Sequence, residues 1–155
     1  RQTRDAHSLN ERLNMFTKIL AGYDGSKGGR VALERGVAAA NNYRAQITAL
    51  WVRQPLPRHA DLPGEPEGEA EAAHDYFEER KREVEECAKQ SGIAIGCESR
   101  AGHAAKVIVN FAKDGGYDLI IIGHSDHSEL WGRMLGDTAD RIADHAHCSV
   151  LIVKQ

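Results

Sequence analysis

The stretch IIIGHSDHSELWGRMLGDTADR, Ile120 to Arg141, decides the fold. An apolar run stops at Gly123, a polar loop follows, and Gly136 sits just before a helical pattern. Strand, glycine-bearing loop and helix, in that order, is how α/β proteins build a phosphate cradle. The first turn of the helix offers unpaired N–H groups and a partial positive charge to the anion. Here Asp126 and Asp137 stand where a cradle wants small or hydroxyl residues. The loop is therefore either a working cradle or one closed from within.

Working outward, strand and helix patterns alternate from Met15 onward. FTKILAGYD reads as strand one, and SKGGRVALERGVAAANNY as a helix with Ser26 as N-cap and Val31, Leu33, Val37 and the alanines near helical spacing. AQITALWV is strand two. RQPLPRHADLPGEPEGE holds all four prolines and reads as a long exposed loop. The next helix, EAEAAHDYFEERKREVEECAKQSG, is acidic early and basic midway, turns Phe77, Val84 and Ala88 inward, and closes at Gly92. IAIGCESR is strand three, and HAAKVIVNFAKDGG a helix with Val107, Ile108 and Phe111 on one face. YDLIIIG has the unbroken apolar pattern of a strand buried on both faces. DTADRIADHAH is a short helix and SVLIVK the last strand.

Alternating strands and helices predict an open, doubly wound parallel α/β sheet, Rossmann-like, with helices on both faces. For five strands in order 3-2-1-4-5, ligands bind between the carboxyl ends of strands one and four. Those ends fall at Asp24 and Gly123. Residues 15–155 are the expected domain. Residues 1–14 read as a polar N-terminal extension, native, vector-derived or a linker, outside the fold.

Composition excludes several classes. A net charge of −3 gives no basic field for nucleic acid. No apolar run approaches the roughly 20 residues of a membrane span, and no secretory leader is recognisable. Three cysteines, Cys87, Cys97 and Cys148, lack the spacing of a metal site or disulfide framework and read as small hydrophobes in a reducing cytoplasm.

KILAGYDGS at Lys18 to Ser26, LWV in strand two, YDLIIIG and HAHCSVLIVK together resemble the universal stress protein family, from about Met15 to Lys154. The resemblance implies the 3-2-1-4-5 sheet and a homodimer in which the last strands pair. It also implies, for some members, ATP binding through G-x-x-G-x9-G-[S/T]; members without that signature do not bind it. Matched position by position, the signature falls on Gly123, Asp126, Gly136 and Asp137, so its spacing is intact and two of its positions are changed. The nucleoside side of the family site maps onto Gly22, Asp24, Val52 and Ile122. Asp24 and Val52 match the usual residue types, and Gly22 departs from a residue that is often proline or larger.

The residues themselves leave alternatives. Asp137 is expected at the start of the last helix as its N-cap, with Thr138 as the competing cap. A carboxylate about 4 Å from a phosphate charge costs roughly 4 kcal/mol at an effective dielectric near 20, about a thousandfold in affinity. Mg²⁺ held by Asp126, Asp137 and a triphosphate would reverse that sign. His124 and His127, with His145 and His147, have too few evident partners for a transition-metal site and read as solvated loop histidines. Asp24 either bonds a ribose or adenine group or serves the DGS turn. Arg133 is the loop's cation, and Trp131 reads as a packing or interface residue.

No catalytic motif is present: no GxSxG elbow, no Walker sequence and no HExxH. Ser125, His124 and Asp126 are adjacent in the loop and do not face one another as a triad must. The expectation is a cytoplasmic regulatory protein, at most a weak ATPase. Its ligand would be AMP, a cyclic nucleotide or a nucleoside in preference to ATP, with Mg²⁺ only beside a triphosphate. The alternative is a dimerisation module, without nucleotide, that regulates a partner protein such as a transporter. In either case the homodimer would use the strand from Ser149 to Lys154.

Overall fold

The computed structural model describes residues 15–54, 66–124 and 137–154. In chain order these form β1 (Lys18–Gly22), α1 (Lys27–Tyr43), β2 (Gln46–Arg53), α2 (Pro66–Ser91) and β3 (Ile95–Ala101). Then come α3 (Ala104–Asp114), β4 (Leu119–Gly123), α4 (Asp137–His145) and β5 (Ser149–Val153). The five strands run parallel in the order β3-β2-β1-β4-β5, as expected.

The central strands explain the unbroken apolar runs. Ile19 and Ile121 point into a cluster with Ala32, Leu33 and Ala40 of α1 and Val84 of α2. Their neighbours Leu20 and Ile120 point the other way, into a cluster with Ile108 and Ala112 of α3 and Ile142 of α4. All four of these strand residues are fully buried. Truncating any of them to alanine removes transfer energy and leaves a cavity, a cost of about 2–5 kcal/mol.

Local rules set most boundaries. Ser26 caps α1 by accepting the Gly29 N–H at 3.1 Å. The stripe of α1 against the sheet is made of small residues, Gly28, Gly29, Ala32, Gly36 and Ala40 with Leu33, while Val31 and Val37 flank it half-buried. The close approach requires this: a Cβ on Gly36 would lie 2.9 Å from Ile47 Cδ1. Helix α2 begins earlier than its composition suggests. Pro66, expected in the proline-rich loop, is its first residue, where a missing N–H costs nothing. After Ser91, Gly92 takes a φ of 72° and ends the helix, its N–H donating to the Ala88 carbonyl at 2.9 Å.

The amino end of the β1–β4 pair is tied by Asp118. Its carboxylate accepts the Thr17 N–H at 2.8 Å, the Thr17 hydroxyl at 2.7 Å and the Lys18 N–H at 3.0 Å. Lys18 Nζ donates to the Gly115 carbonyl at 2.6 Å and lies 4.6 Å from the centre of the Tyr117 ring. Tyr117 in turn donates to Thr48 Oγ1 at 3.0 Å. Partial burial pushes the Asp118 carboxyl up, but these hydrogen bonds outweigh it and hold the group below the ordinary carboxylate value.

Strand β5 is one edge of the sheet. Val150 and Ile152 are half-buried on the α3–α4 face, Val153 is buried on the other, and Leu151 is 44 % exposed.

Candidate functional site

After β1 the chain turns to the α1–α2 face, and after β4 it goes to the α3–α4 face. The two connections diverge, so a crevice opens between the carboxyl ends of β1 and β4. A cavity of about 360 Å³ occupies it. Leu50, Val52, Ile108 and Ile122 form an apolar floor, while Asp24, Ser26, His124 and Thr138 supply polar groups at the rim. An apolar bed with a few placed polar groups is the usual make-up of a small-molecule site.

Glycines define its walls. A Cβ on Gly123 would lie 2.2 Å from the Gly28 carbonyl oxygen, and one on Gly28 would lie 2.9 Å from the His124 carbonyl oxygen. The first turn of α1 and the end of β4 therefore meet main chain to main chain. His124 is also fixed from the other side, donating its N–H to the Val153 carbonyl at 2.8 Å. At the floor, a Cβ on Gly22 would sit 3.2 Å from Ile122 Cγ2, so a larger residue there would press on Ile122.

Asp24 is held by its own turn. Its Oδ1 accepts the Ser26 N–H at 2.9 Å, while Ser26 Oγ caps α1. The turn role read from DGS is thus present, and Asp24 also lines the cavity. That carboxylate oxygen is committed to the turn. Gly29 completes the packing, since a Cβ there would lie 2.6 Å from Asp24 Oδ1.

The structure brings Gly22, Asp24, Val52, Ile122, Gly123 and Thr138 to one cavity. Asp126 and Gly136 lie outside the described residues, as do Ser125, His127, Trp131 and Arg133. Asp137 is the first residue of α4. Asp137 thus stands at the amino end of α4, where the helix dipole favours a carboxylate. Sequence reasoning missed the lining by Gly28, Gly29, Leu50, Ile108 and Ala139. The paired glycines after Ser26 were the available signal: two glycines in a first helical turn mark a close backbone approach.

Among the described residues no group of three or more His, Cys, Asp or Glu is placed to hold a metal. His145 and His147 precede Ser149, which pairs with the start of β4, whereas His124 follows its end. They lie at opposite ends of the sheet. The Tyr23 phenol, bonded to Glu83, is pushed well above its ordinary value, first by burial and then by Glu83. Burial likewise pushes up the thiols of Cys87, Cys97 and Cys148, so none is poised as a thiolate. No described helix is long and apolar enough to cross a membrane.

Residues 15–154 match the model of the universal stress protein family. The universal stress protein MJ0531 of Methanocaldococcus jannaschii is 31% identical over 144 residues, covering 92% of this chain and 84% of that protein. The universal stress protein YxiE of Bacillus subtilis is 29% identical, covering 90% of this chain and all of the relative. Among solved structures, a universal stress protein in complex with cAMP superposes with a TM-score of 0.69 at 26% identity, covering 90% of this chain and 97% of the other.

Proposed function

We propose, for a chain that belongs to the universal stress protein family, that the crevice between β1 and β4 binds an adenine nucleotide and prefers AMP or a cyclic nucleotide to ATP. The observation that carries this reading is the cavity itself. Its apolar floor of Leu50, Val52, Ile108 and Ile122 suits a purine face, and Asp24 stands at the rim where a ribose hydroxyl would donate. The solved relative in complex with cAMP supports a nucleotide of this size in this fold.

The preference against ATP rests on Asp137 and Asp126. Asp137 opens α4 beside Thr138, which lines the cavity. A carboxylate in that first turn competes with phosphate for the helix N–H groups and repels its charge. A monophosphate or cyclic phosphate carries less charge toward that end. Were a triphosphate to bind, Asp126 and Asp137 are the residues that would hold its Mg²⁺. Among the described residues none is positioned to drive hydrolysis, and ATP turnover is expected at background.

Titration calorimetry with AMP, cAMP, adenosine and ATP, each in EDTA and in Mg²⁺, tests the reading. Binding of AMP or cAMP tighter than ATP in EDTA is expected. Tight ATP binding in EDTA would show the phosphate end is open, and no binding of any adenine compound would sink the nucleotide reading.

The homodimer through β5, expected with or without a nucleotide, has its own observation. β5 is an edge strand with Leu151 44 % exposed. Bare apolar edges are natural pairing surfaces. Ile152→Pro removes a ladder donor and should weaken association. Sedimentation of wild type as a clean monomer at micromolar concentration would overturn it.

A further inference from the structure

We propose that helix α2 positions the nucleotide site from behind: Tyr76, Arg80 and Glu83 grip the Tyr23–Gly25 turn and hold Asp24 at the cavity rim. The three residues fall at i, i+4 and i+7, one stripe of a helix. Tyr76 donates its hydroxyl to the Asp24 carbonyl, and Glu83 accepts the Tyr23 hydroxyl. Arg80 lies between them, 8 % exposed, its guanidinium 3.0 Å from carboxylates of both Glu79 and Glu83 and 4.6 Å from the Tyr76 ring centre. Arg30 of α1 reaches Glu83 at 3.7 Å and joins the same network.

The guanidinium sits directly against the turn. Gly25 has a φ of 80°, and a Cβ on it would fall 1.8 Å from one Arg80 Nη. Glycine at this point satisfies the backbone twist and makes room for the arginine. An arginine buried on a soluble helix needs a reason, because desolvation costs more than an exposed ion pair returns. Here the buried charge fixes two carboxylates and, through Glu83 and Tyr76, both sides of the turn. The upper part of the helix is itself fastened to β2, with Trp51 centred 5.0 Å from the Tyr76 ring and stacked at 6.1 Å on Phe77. Tyr76, Arg80 and Glu83 are absent from the cavity wall, so they act through Tyr23 and Asp24, which both line it.

The ligand half of this proposal rests on the nucleotide reading above; the turn half does not. Two variants separate them. Arg80→Met keeps the apolar stem, and Tyr76→Phe removes one hydroxyl from a residue that is 38% exposed, so it leaves the fold intact. Amide hydrogen exchange is measured without ligand at Ser26, whose N–H is bonded to Asp24, with Ile120 to Ile122 as internal reference. AMP affinity is measured by calorimetry on the same proteins. Relative to the reference amides, Ser26 should exchange about tenfold faster in Arg80→Met, and AMP should bind about tenfold more weakly, with smaller changes of the same sign in Tyr76→Phe. Unchanged relative exchange at Ser26 in both variants overturns the grip. Faster exchange with unchanged AMP affinity overturns the positioning role. If wild type binds no AMP, the nucleotide reading falls, and exchange at Ser26 alone then supports or overturns the grip.

Discussion

At the amino end of the β1–β4 pair, Asp118 gathers three hydrogen bonds and Lys18 a fourth, and the strands are tied together. At the carboxyl end of the same pair, Gly22, Gly28 and Gly123 clear a cavity of about 360 Å³. Between the two strands, side chains close the amino end, while main-chain contact and missing side chains leave the carboxyl end open as a cavity.

The strongest attempt to break that contrast is Gly123→Val. Its Cβ would collide with the Gly28 carbonyl at 2.2 Å, and backbone cannot swing away as a long side chain can. A loss of about 3 kcal/mol or more is expected, with AMP binding abolished, read by urea melts and calorimetry. A melt like that of wild type with AMP still bound would mean the carboxyl end is softer than drawn. Asp118→Ala attacks the other end. It should lower stability by about 2 kcal/mol, discounted because Thr17 is exposed, and leave AMP affinity within about twofold. A parallel fall in AMP affinity would show that the two ends are not independent.

The fold was legible because its signals are periodic and local. YDLIIIG could only be a doubly buried strand, and Ser26 announced the start of α1. The site was half legible. Asp24 and Gly123 follow from the strand order and Val52 from the resemblance, and all three reach the cavity. The Gly28–Gly123 contact was not, because it joins residues remote in sequence that no period connects. Arg80 shows a different limit. In a helix rich in Glu, Lys and Arg, the charge pattern marks a polar stripe but not whether that stripe faces water or a buried turn.

Two smaller effects sharpen the comparison further. Asp137→Ser keeps a small polar residue in the first turn of α4 and removes a charge, so it should strengthen ATP binding in EDTA by about tenfold. AMP should gain less, and stability should barely move. If wild type binds ATP only with Mg²⁺ and the variant loses that dependence, the aspartate is a metal ligand rather than a barrier. The smallest effect is in acid. The Asp118 carboxyl is held below its ordinary value in the folded chain, so its contribution is complete above the unfolded value near 4 and is lost as pH falls through the folded value. Urea melts from pH 6 downward should show wild type losing more stability than Asp118→Asn, and equal slopes would remove Asp118 from the account.

The contact of Gly28 with Gly123 has an engineering consequence. The distance between α1 and β4 is set by atoms that every amino acid possesses, not by the fit of particular side chains. The scaffold is thus a socket of fixed gauge. Exchanging residues 125–137 for those of a relative with a complete glycine signature leaves that contact untouched and replaces both aspartates. Ligand preference in such chimaeras should travel with the transplanted loop, while melting behaviour stays with the host.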